Sequence, residues 1–91
     1  MLTIKNIQSL TGKYIGHWKI QSAHIKPYYY IIKVVHNGSP FDCFNLCVDR
    51  RKTKPGDYRI SCMETGREHH MPIECIRDRD TFIRFLIDEL I

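Results

Sequence analysis

Between Gly16 and Ile76 the chain breaks into five short runs rich in β-formers, several with apolar side chains at every second position, separated by turn residues. A period of two is the mark of a half-buried strand, because successive side chains leave the pleated backbone on opposite faces. The runs are residues 17–25 (HWKIQSAHI), 28–36 (YYYIIKVVH), 41–48 (FDCFNLCV), 57–64 (DYRISCME) and 69–76 (HHMPIECI). Asn37-Gly38 reads as a turn that accepts positive φ, Pro55-Gly56 as a second turn, and Gly66 as a third. Pro72 cannot donate to a ladder, so it points to an edge strand or a bulge. Connections this short require neighbouring strands to run antiparallel.

Both ends of the chain change to a helical period. In TIKNIQSLTG, Ile4, Ile7 and Leu10 share one helical face, with Thr3 placed to cap it and Gly12 to stop it. A two-turn helix of this kind needs packing to persist. At the other end, residues about 79–91 carry Phe82, Phe85, Leu86 and Leu90 along one stripe, which Ile83 and Ile87 widen. Asp78 or Asp80 caps that helix and complements its dipole. The expected fold is therefore α+β: a mainly antiparallel meander of about five strands, a short N-terminal helix and an amphipathic C-terminal helix. With 91 residues, 43% hydrophobic and 26% charged, the chain reads as one compact globular domain over 1–91.

Two of the expected strands are apolar on both faces. The run 41–48 places Phe44, Leu46 and Val48 on one side and Phe41, Cys43 and Cys47 on the other. The run 28–36 places Ile31 and Val35 on one side and Tyr28, Tyr30, Ile32 and Val34 on the other. Such strands need cover on both sides. One long helix covers one face, so the second closes by sheet curvature, by the N-terminal segment, or against a second molecule.

Several function classes drop out. No apolar run reaches the roughly 18 residues of a membrane span. The first 25 residues interleave apolar with Lys, Asn, Gln and His rather than forming an apolar leader core, so the expected setting is cytoplasmic, with Cys43, Cys47, Cys62 and Cys75 as reduced thiols. Four strand residues span about 13 Å, whereas two thiolates on one zinc stand at most about 4.6 Å apart; Cys43 and Cys47 therefore share no metal. His69 and His70, adjacent on a strand, point to opposite faces. There is no phosphate-binding Gly-rich loop, no G-x-S-x-G and no H-E-x-x-H, so no catalytic residue, metal or cofactor is expected.

What remains is charge. Residues 50–59 hold Arg50, Arg51, Lys52, Lys54 and Arg59 against Asp57 alone, a net +4. The whole chain is also +4, so the other 81 residues sum to zero. Like charges this dense repel one another unless something answers them. The expected function is a non-enzymatic binding module whose basic hairpin arm grips a nucleic-acid backbone or another polyanion, with Tyr58 and Tyr28 or Tyr30 adding contact area. The competing expectation is a protein-directed inhibitor or adaptor, of the kind phages turn on host or defence enzymes. It would dock on an acidic protein surface through the arm, and use the Tyr28–Tyr30–Ile32 face for a protein partner or a homodimer. A third is a metal-independent, toxin-like ribonuclease using Arg59, Tyr58, His69 and His70.

Overall fold

The computed structural model describes residues 7–54, 57–72 and 78–91, without the side chains of Pro40, Arg50, Lys52, Thr53, Lys54 and Asp57. Strands β1 (Tyr14–Ile15), β2 (Trp18–Ile25), β3 (Tyr29–His36), β4 (Ser39–Lys54), β5 (Asp57–Cys62) and β6 (Glu68–Pro72) precede helix α1 (Arg79–Leu90). The strands form one antiparallel sheet in sequence order, β1-β2-β3-β4-β5-β6.

The architecture is α+β as expected, with six strands in place of about five. The addition is β1, whose two residues pair Tyr14 with Lys19 and Ile15 with Trp18. Gly16, at φ +59°, supplies the left-handed turn that this hairpin needs. The expected N-terminal helix falls partly on residues 1–6, outside the described residues. Beyond them only Ile7 and Gln8 are helical before a run of turns to Gly12. The turn at Asn37-Gly38 forms, but without positive φ at either residue; the Gly38 N–H instead donates to His36 Nδ1 at 3.2 Å.

One face of the sheet makes the core. Paired residues share a face, so the registers Ile32↔Leu46, Leu46↔Cys62 and Val48↔Ile60 carry a continuous apolar band across the middle strands. Strand β2 joins it through an irregularity. Ile20 pairs with Val34 but Ser22 with Lys33, so the backbone bulges at Gln21 and the alternation inverts. Ala23 and Ile25 then point inward, opposite Ile32 and Tyr30, where strict alternation would have sent Ser22 and His24.

Helix α1 closes this face. Asp78 caps it, accepting from the Thr81 N–H at 3.1 Å and the Thr81 hydroxyl at 2.9 Å. Phe82, Ile83, Leu86 and Leu90 are buried along the predicted stripe. The helix packs on β5 and β6 at one edge and on β1 at the other, so the sheet curls around it. At its far end the Thr65 hydroxyl donates to the Leu90 carbonyl (2.8 Å) and Arg67 Nη1 to the Ile91 carbonyl (3.3 Å), tying the helix to the β5–β6 turn.

This closure divides one expected surface. Ile32 is fully buried and Tyr30 packs against the core, so both are turned to the helix, while Tyr28 stays exposed. The uncovered face carries Ile31, Lys33 and Val35 opposite Cys47, Asn45 and Cys43, all half-buried. No helix among the described residues is long and apolar enough to cross a membrane.

Candidate functional site

In a meander, alternate turns lie at the same end of the sheet. The β2–β3 connection and the β4–β5 arm therefore share one end, which brings Tyr28 and Tyr29 beside residues 49–51. The register there breaks: Val48 pairs with Ile60 and Lys52 with Tyr58, leaving residues 49–51 opposite Arg59 alone. This wide bulge is organised by a carboxylate. Asp49, 4% exposed, accepts from the Arg51 backbone N–H at 2.9 Å. Its two oxygens also take Arg51 Nε (3.1 Å) and Nη2 (3.2 Å), a forked pairing that fixes the guanidinium.

Arg51 is held from a second side. Its Nη2 donates to the Tyr29 hydroxyl at 3.3 Å, and its guanidinium carbon lies 4.7 Å from the centre of the Tyr28 ring and 5.7 Å from that of Tyr29. Both distances are within reach of a cation–π attraction. Next to this group Arg59 makes its own fork, Nε and Nη2 at 2.7 and 2.8 Å from the two oxygens of Glu68. Tyr29, Asp49, Arg59 and Ser61 line a small hollow of about 70 Å³.

The arm's charge is thus partly answered. Asp49 and Glu68 stand against the five cations together with Asp57, which leaves +2 for this set of residues in place of +4. The hydrogen bonds to Arg51, more than any other effect, hold the Asp49 carboxyl below the usual range. Glu68 is lowered first by its hydrogen bond to Arg59. A depressed native pKa contributes stability above the ordinary carboxylate value of about 4, lost as pH falls through the lower native value. Urea unfolding is therefore expected to show the parent chain more stable than Asp49→Asn at neutral pH, with the gap closing as pH falls below about 4. A gap that stayed constant into acid would mean that Asp49 carries no charge-dependent stability.

The predicted site residues separate into three groups. Arg51, Arg59 and Tyr28 come together at the base of the arm. Arg50, Lys52 and Lys54 lie on β4, and their side chains are outside the described residues. Tyr30 and Tyr58 pack against the core instead. Tyr29, Asp49 and Glu68, which charge counting over 50–59 passed over, complete the site. For Tyr29 the sequence holds only half the signal: alternation separates it from Tyr30 but does not say which of the two faces the core.

The four groups of the ribonuclease expectation do not converge. Arg59 pairs with His70 on the outer face, while His69 pairs with Ile60 and lies 3.8 Å from Glu89 of α1. A broader hollow of about 220 Å³ opens between the β1–β2 turn and α1, where Arg84 and Asp88 rim Ile15, Trp18 and Ile87.

No family model, curated protein or solved structure matches this chain.

Proposed function

We propose that the chain is a non-enzymatic binding module whose basic arm contacts a nucleic-acid backbone. The reading is carried by one observation: a guanidinium fixed by a buried carboxylate against two exposed tyrosines, at the root of a hairpin bearing four further cations. Arg50, Lys52 and Lys54 supply charge along the arm, and Tyr28, Tyr29 and Arg51 supply a fixed contact surface beside it. Backbone contact of this kind needs no base-reading helix.

The test is binding to labelled DNA and RNA at about 50 and about 200 mM salt, with a variant in which Arg50, Lys52 and Lys54 become serine. Arg51 is kept, because removing it would strand Asp49. The variant is expected to bind weakly and to lose roughly 0.7 from the logarithmic salt slope on single strands for each cation removed. Absence of any binding by the parent chain at about 50 mM salt would reject the reading.

An adaptor reading draws on Phe41, 95% exposed, and Met63, 69% exposed, which lie toward the end of the sheet away from the arm. A partner gripping that end would be indifferent to the serine variant and sensitive to Phe41→Ser.

A further inference from the structure

We propose that Tyr28 and Arg51 form a stacking step for an unpaired base, so that the ligand of the arm is a single-stranded nucleic acid. The inference rests on the function proposed above and narrows it.

The argument begins with which parts of the arginines remain open. Nε and Nη2 of Arg51 lie on Asp49, and the same two nitrogens of Arg59 lie on Glu68. An arginine meant to clasp a phosphate, or a carboxylate of a partner protein, would offer that fork to the ligand. Here both forks are turned onto carboxylates of the chain itself. What Arg51 presents outward is the remainder of a flat cation, with its side chain 57% exposed. Flat cations and aromatic rings are the surfaces on which unpaired bases stack.

Tyr28 supplies the ring. It is 57% exposed and Tyr29 41%, so two large aromatic side chains stand open at this end although the core face lies one residue away at Tyr30. Asp49 and the Tyr29 hydroxyl hold the guanidinium beside them, which lowers the ordering cost that a free arginine would incur on binding. Position adds the last element. The β4–β5 arm and the β2–β3 connection share one end of the sheet, so a strand held at the arm has Tyr28 within reach. Within a duplex each base face is already covered by its neighbours, so only a single strand has a face to give.

Anisotropy titrations with labelled strands of about 12 nucleotides test this: single-stranded DNA, single-stranded RNA, an abasic strand of equal length, and a duplex. The base-bearing single strands are expected to bind about tenfold more tightly than the abasic one. Tyr28→Ala should abolish that preference and Tyr28→Phe should keep it. If abasic and base-bearing strands bind within about twofold of each other, or the duplex binds best, the stacking step is overturned while the arm remains a backbone grip. If none of them binds, the proposed function falls with it and a protein becomes the partner to seek.

Discussion

Replacing Phe82 with alanine is expected to destabilise the fold by about 3–5 kcal/mol, the usual cost of emptying a buried phenylalanine site. For a small domain whose total stability is about 5–15 kcal/mol, that approaches the whole margin at the low end. The reason lies in the fold's one-sided construction. The described sheet has a single core face, and Phe82, fully buried, stands in the first turns of the helix that closes it. Strands β1 and β6 are not paired with each other, so the curl of the sheet depends on packing against α1 rather than on a closed ladder. A cavity at Phe82 weakens both edges together. Thermal unfolding followed by circular dichroism should show Tm falling by at least roughly 12 °C, against a change of about 3 °C or less for Arg84→Ala on the exposed side of the helix. Comparable melting of the two variants would mean that α1 does not hold the curl.

What was legible in the sequence is what local chemistry determines. Asp78 announces α1 because a carboxylate ahead of a helical stripe has an N–H to accept from, and the stripe itself is a matter of spacing. The runs behind β2 to β6 are visible for the same reason. Strand β1 is not, since two residues define no period; it exists because Gly16 turns the chain back and Ile15 finds the core. The bulge at Gln21 is equally silent. Nothing in the composition of β2 reveals it, and only pairing with β3 decides whether Ser22 or Ala23 faces inward. Nor does alternation say which face of β3 receives the helix, so Tyr30 and Ile32 looked as available as Ile31 and Val35.

The site divides along the same line. Its cations lie within ten residues of sequence and are visible there. The carboxylates that answer them belong to structure: Glu68 reaches Arg59 from the neighbouring strand, and Asp49 acts through a bulge that leaves three residues opposite one. A charge run read in one dimension therefore overstated the free charge of the arm and understated its order.

Asp49→Ala separates those two quantities, because charge and order predict opposite results for it. The substitution removes a negative charge from the root of the arm. If the arm attracts nucleic acid by net charge alone, the variant binds more tightly than the parent. If instead the fixed guanidinium is the contact, the variant loses the group that positions Arg51 beside Tyr28, and binding weakens. The expected result is weaker binding by about tenfold, despite the more favourable charge. Stability should fall with it, by about 1–3 kcal/mol, since the Arg51 N–H and the bulge lose the acceptor that Asp49 provides. At roughly 4–8 °C per kcal/mol that loss is readable by thermal melting, and binding is then compared at a temperature where both proteins are fully folded. Tighter binding by a folded Asp49→Ala protein would make the arm a simple electrostatic grip, and the Tyr28–Arg51 arrangement a device of the fold alone.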